Sequence, residues 1–272
     1  MATPNDALMT MVRFGFQKIM VTHDLRLGYG DALDFKQQDQ GKTYRVDEFI
    51  VNFQDAVIYG SDLRLVQSRK EWLNDACINF FFAVLRQSAS TDHIVFMDPS
   101  VVSFFMHQCT NDEDLADFKD GFQYPPTGKI VVPINDNMTL ASHWQRPGGG
   151  NHWSLLMIVM SNTVEDIQYW HFDSVCGSNN AAAACDVTRK MKEVIFKGKG
   201  SQLVEASTPR QVNGYDCGVH MLAAAEMFES MVSINLEDYE RALRHFVRES
   251  PGFCLKLRGR IEKDILWLAT HL

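Results

Sequence analysis

The chain has no apolar run of the ~20 residues that a membrane-spanning helix needs, no two cysteines in a C-x-x-C pair, and no internal repeat. The first absence argues against a membrane protein. The second, with no Cys/His cluster at zinc-ligand spacing, argues against a structural metal. Basic residues are outnumbered by acidic ones, 26 against 34, for a formal net charge of -8. A generic nucleic-acid binder would instead show basic clusters, whereas an acidic surface fits a partner with a basic face. Nothing in the sequence calls for a cofactor.

What is there is an ordinary globular composition, 46% apolar and 22% charged over 272 residues. That length suits one large domain, or one domain with an appendage. The N-terminal segment carries Asp6 early and lacks a secretory core, and its few basic residues leave only a poor match to a transit peptide. Cysteines 77, 109, 176, 185, 217 and 254 are widely and irregularly spaced, which reads as reduced thiols in a cytoplasmic and/or nuclear protein. Residues 1–45, with an amphipathic stretch at Ala7–Met20 and the polar run "KQQDQGK", read as a loosely ordered extension. Residues 46–272 read as the folded domain.

Along that domain, "DEFIVNFQDAVIYGSDLRLV" alternates like strands with a turn near Gly60 and Ser61, and "WLNDACINFFFAVLRQ" has a helical apolar stripe with Asn74 or Asp75 as its cap. "HIVFMD" reads as a strand and "PSVVSFFMHQC" as a helix begun by Pro99. Three strands follow, "KIVVPIND", "HWSLLMIVM" and "IQYWHFDS", the last two joined as a hairpin. Ala181–Phe196 is a helix, "QLVEAS" a strand, and Cys217–Met231, Leu236–Arg248 and Cys254–Thr270 are helices. The order predicts an α+β fold with a mixed central sheet flanked by helices.

Chemistry concentrates at "TPRQVNGYDCGVHMLAAAEMF". Pro209, Asn213 and Gly214 punctuate the approach, and helical spacing begins at Cys217. The thiol therefore stands at a helix N-terminus, where the dipole and unpaired N–H groups favour an anion. A small core residue at a helix start is the competing reading. A cysteine nucleophile also needs a base, a group that orients the base, and an oxyanion donor. His152, at the mouth of an apolar strand after a glycine run, suits the base. His143 repeats the His-Trp pair inside a loop, and His171 and His220 have the apolar surroundings of packing residues. Asp173 closes a neighbouring strand and could fix the imidazole tautomer, although an aspartate there is more often a turn former. Gln211, in the loop before Cys217, could join its backbone N–H in binding an oxyanion.

Taken together, "HW" at His152, "FDS" at Asp173 and "QVNGYDCG" from Gln211, with "WLND" at Trp72–Asp75 upstream, resemble the Ulp and sentrin-specific protease family over about residues 50 to 270. The resemblance implies a papain-like, Ulp-type cysteine protease fold that removes small ubiquitin-like modifiers. It implies His152 as base, Asp173 as its orienter, Gln211 in the oxyanion hole and Cys217 as nucleophile. It also implies Trp72 and Trp153 closing over a tunnel for an extended Gly-Gly tail, with Asp75 facing an arginine of that tail. "DPSVVSFF", "INDN" and "GGGNHWSLL" are most similar to the deneddylase branch, which acts on the Nedd modifier of cullins. The loop at 138–151 is longer than that branch leads one to expect. A SUMO-specific protease, an acyltransferase of related fold and a non-catalytic modifier-binding protein are the alternatives.

Overall fold

A computed structural model describes residues 43–88, 93–139, 150–161, 166–175, 177–178, 180–231 and 235–272. The Ala7–Met20 stretch, His143, Cys176 and most of the loop 138–151 lie outside the described residues.

The first elements are an antiparallel hairpin, β1 (Phe49–Phe53) and β2 (Ala56–Tyr59). Its turn is Gln54–Asp55, both at positive φ, the backbone geometry whose twist matches that of paired strands. The turn is therefore not at Gly60 and Ser61, and the chain does not continue as strand. Helix α1 (Gly60–Gln67) starts there, burying Leu63 and Val66 one helical turn apart. The alternating Leu63 and Leu65 imitate a strand, but Asp62 accepts the Tyr59 N–H at 2.8 Å and starts a helix. Gly60 is needed at this corner because a Cβ would lie 1.8 Å from the Arg45 carbonyl oxygen.

Helix α2 (Asp75–Ser88) is capped by Asn74, whose side-chain oxygen accepts the Cys77 N–H at 3.1 Å. Its run from Phe80 to Leu85 is wholly buried. After β3 (Ile94–Phe96) comes α3 (Pro99–His107), with Asp98 accepting the Ser100 N–H. Helix α4 (Asp112–Gly121) has no counterpart in the sequence reading. It buries no residue fully, so it shows little apolar stripe; its signals are Asn111 as cap and three acidic residues in the first turn.

The remaining strands are β4 (Gly128–Asn135), β5 (Trp153–Met160), β6 (Ile167–Phe172) and β7 (Leu203–Glu205). The sheet order is β3-β4-β5-β6-β7. The outer pairs are parallel, and β4–β5 and β5–β6 are antiparallel. The fold is thus α+β with a mixed sheet. Both faces of β5 are buried, so helices cover the sheet on both sides. Helix α5 (Asn180–Val194) packs on β4, β5 and β6, and α6 (Cys217–Ser230) packs on β5 and α2. Helices α7 (Leu236–Glu249) and α8 (Phe253–His271) complete the domain, α8 lying against α1, β1 and α6.

Candidate active site

The register of the central hairpin brings the first two site residues together. Leu155 of β5 pairs with Phe172 of β6, so His152, just before β5, and Asp173, just after β6, emerge at the same end of the sheet. His152 Nε2 lies 2.6 Å from Asp173 Oδ1. The approach to His152 is set by two motifs that meet in space. The Asn151 N–H donates to Asp136 Oδ1 at 2.8 Å. Gly150, at φ 108°, packs so closely on Asn135 that a Cβ would lie 1.7 Å from its side-chain oxygen.

Asp173 is itself fixed: Oδ1 accepts the Val175 N–H at 2.8 Å, and Oδ2 accepts a short hydrogen bond from the Ser178 hydroxyl. Cys217, the first residue of α6, stands close enough to the His152 ring to favour its charged form. Because Nε2 faces Asp173, Nδ1 is the nitrogen left for the thiol. Burial opposes charge on the ring, but the hydrogen bonds and negative charges of Asp173 and Cys217 outweigh it and raise His152 to about 9. Burial likewise works against the Asp173 carboxylate, yet the hydrogen bonds from His152 and Ser178 hold it below its ordinary value. The pair is an imidazolium–carboxylate at neutral pH.

Gln211 stands in the loop leading to α6, with its N–H donating to the Ser174 carbonyl at 3.0 Å. Its side-chain oxygen accepts from the Ser174 hydroxyl at 2.7 Å, and its Nε2 donates to the Asn213 carbonyl at 2.6 Å. One amide hydrogen is thereby engaged and the second is not needed for that bond. The Cys217 end of α6 has no side-chain cap, since Asp216 is the cap residue but makes no capping bond.

The two tryptophans are placed differently. Trp72 is 46% exposed, and its indole N–H makes a short hydrogen bond to the Gly214 carbonyl. Trp153 is 5% exposed, donates to the Leu73 carbonyl at 2.8 Å, and lies next to Gly218. The Trp72–Leu73 segment therefore runs between the turn before Cys217 and the Trp153 indole. Asn74 caps α2, which leaves the Asp75 carboxylate at the exposed start of that helix. Crowding by protein, and then the negative charge of Asp98, raise the Asp75 carboxyl above its ordinary value.

Two other histidines have structural partners. His171 is fully buried between the Ser154 hydroxyl and the Glu205 carboxylate. His220 rests edge-on against Phe253 and is lowered by burial to about 4. Cys77 and Cys254 are pushed up by burial to about 12, so both are thiols at neutral pH. Among the described residues, no group of three or more His, Cys, Asp or Glu is placed to hold a metal ion.

Three residues at the site gave no signal in the sequence reading. Ser178 braces Asp173. Asn180 donates to the His152 carbonyl at 3.2 Å and to the Ser154 hydroxyl at 2.8 Å. Arg258 reaches Asp216 from α8. Only Asp216, inside "YDCG", stood within a recognisable motif.

Residues 71–247 match the model of the Ulp1 protease family, C-terminal catalytic domain. Sentrin-specific protease 8 of Homo sapiens is 32% identical over 231 residues, covering 82% of this chain and 99% of that protein. NEDD8-specific protease 1 of Arabidopsis thaliana is 32% identical over 182 residues, covering 66% of this chain and 75% of that protein. The solved C-terminal Ulp1 protease domain, in complex with SMT3, the yeast ortholog of SUMO, shares the fold. It gives a TM-score of 0.55 at 20% identity, over 83% of this chain and 90% of that one. The fold and its relatives define a cysteine-type peptidase. The chain belongs to the Ulp1 protease family.

Proposed function

We propose that this protein is a thiol isopeptidase that cleaves after the C-terminal Gly-Gly of a ubiquitin-like modifier, with Nedd favoured over SUMO. It acts on modifier precursors, on conjugates such as cullins, or on both, and works in the cytoplasm and/or nucleus. No helix among the described residues is long and apolar enough to cross a membrane. Residues 46–272 form the catalytic domain and 1–45 an extension.

In this reading the Cys217 thiolate attacks the carbonyl carbon of the terminal glycine. The oxyanion takes hydrogen bonds from the Cys217 backbone N–H and the Gln211 amide. His152, held by Asp173, gives its proton to the leaving amine, and a thioester forms. Water then attacks the thioester, His152 takes one of its protons and the C–S bond breaks, so the modifier leaves with a free carboxyl group and the Cys217 thiolate is restored beside charged His152. Trp72 and Trp153 flank the path of the tail, and Asp75 meets a basic residue upstream of Gly-Gly.

The observation that carries this reading is the His152–Asp173 bond of 2.6 Å beside Cys217. It lies in a chain aligned with proteases named for sentrin and NEDD8. The test is to offer C-terminally extended Nedd, SUMO and ubiquitin precursors and measure release of the extension. Cleavage of the Nedd precursor at the highest kcat/KM is expected. Preference for SUMO would move the protein to the other branch, and cleavage of none would overturn the reading.

A further inference from the structure

Arg258 sits on α8, 42 residues from Asp216 in sequence, yet its guanidinium is buried at the base of the site. Its Nε and Nη2 donate to Asp216 Oδ1 at 3.2 and 3.0 Å. Nη1 donates to the Leu65 carbonyl at 2.9 Å, and Nη2 to the carbonyls of Glu71 at 2.8 Å and Tyr215 at 3.4 Å. One planar fork therefore joins the end of α1, the residue before Trp72, and the two residues before Cys217.

The Asp216 carboxylate is held on its other side as well. Oδ2 accepts from Asn213 Nδ2 at 2.8 Å, and Asn213 Oδ1 in turn accepts the Tyr215 and Asp216 N–H groups. An aspartate at a helix N-cap ordinarily accepts from the N–H of the second or third helical residue. Here Arg258 and Asn213 hold it elsewhere, and α6 begins with no side-chain cap. The donors of its first turn stay open for a substrate oxygen. The Trp72 indole N–H donates to the carbonyl of Gly214, in the same turn.

We propose that Arg258 is a positioning residue for the reaction at Cys217. It fixes the Trp72 segment and the Cys217 turn in one register and keeps the Asp216 side chain off the α6 N-terminus. The inference rests on the protease reading above. Lysine cannot take over this role, because a single ammonium lacks the rigid planar fork that spans three segments. A buried ion pair is not by itself evidence of stabilisation, which makes alignment the more specific account of why the charge is there.

The test uses the full-length protein as Arg258→Lys and as the pair Asp216→Asn with Arg258→Met, the second removing both buried charges together. Three quantities are read: thermal unfolding, alkylation of Cys217 by iodoacetamide followed on its peptide by mass, and kcat and KM on a Nedd–Gly-Gly fusion. Alkylation needs the thiol but neither tail register nor oxyanion donors. Both variants should unfold in a single transition and keep wild-type alkylation, while kcat falls about 10²-fold, the cost of a misplacement of order 1 Å. Alkylation and kcat falling in parallel, unchanged kcat, or failure of both variants to fold would assign the cluster to stability alone and overturn the proposal. Failure of the wild type to cleave any modifier fusion would instead overturn the protease reading itself.

Discussion

His152 and Asp173 close the end of the central hairpin with a 2.6 Å hydrogen bond, and the folded protein favours the charged imidazole up to about pH 9. The pH dependence follows. His152 is raised above its ordinary 6.5, so its contribution to stability is full below that value and is lost as pH rises through about 9. Asp173 is depressed, so its contribution is present above the ordinary carboxylate range and is lost as acid protonates it. The basic limb of kcat/KM should therefore fall near pH 9. Asp173→Asn should move that limb toward neutrality and lower kcat by about 10²-fold or more, as for a misoriented general acid. An unmoved limb would separate Asp173 from His152 function.

Cys217→Ala should abolish turnover while leaving modifier binding nearly unchanged, because in the proposed mechanism the thiol supplies the covalent step, and its 2% exposure predicts some loss of stability as well. The alanine variants of Cys77, Cys109, Cys185 and Cys254 should retain activity, with some loss of stability at the buried positions Cys77 and Cys109. Turnover surviving Cys217→Ala would remove it as nucleophile.

Gln211→Ala should cost about 10²-fold or more in kcat with KM little changed, since an oxyanion donor acts on the transition state. Because Gln211 also bonds Ser174 and Asn213, thermal unfolding of the variant separates loop collapse from loss of the donor. A KM effect alone would place Gln211 in substrate binding.

A Gly-Gly fusion should be cleaved and an Ala-Ala fusion rejected, since the added methyls must enter a channel beside rigid indoles and bias the tail away from the path glycine allows. Trp72, half exposed, is the cleaner wall to remove: Trp72→Ala should lower cleavage of the Gly-Gly fusion with little change in unfolding. Trp153→Ala should lower both activity and stability, because that indole is buried and holds Leu73. Equal cleavage of the two fusions by the wild-type protein would remove the channel.

The sequence carried the helix that begins at Cys217, the His152 strand and the Asp173 strand because each has a local mark: punctuation before Cys217, glycines before His152, a polar end to an apolar run. Their meeting follows from one hairpin register. Helix α4 escaped because it buries no residue fully, and α1 because Leu63 and Leu65 alternate like a strand. For Trp153 the resemblance implies a wall over the Gly-Gly tail, and its place on a strand covered on both faces leaves it 5% exposed. Arg258 was illegible for another reason: its partners lie on segments far away in sequence, and no local pattern announces a guanidinium that crosses between them.

The most direct measurement is to present Nedd, SUMO and ubiquitin, each bearing a C-terminal thiol-reactive group, and to map any adduct by peptide mass. The account predicts that the Nedd probe attaches at Cys217 and fails to attach to Cys217→Ala. An adduct on another cysteine, or none with any of the three probes, would contradict it.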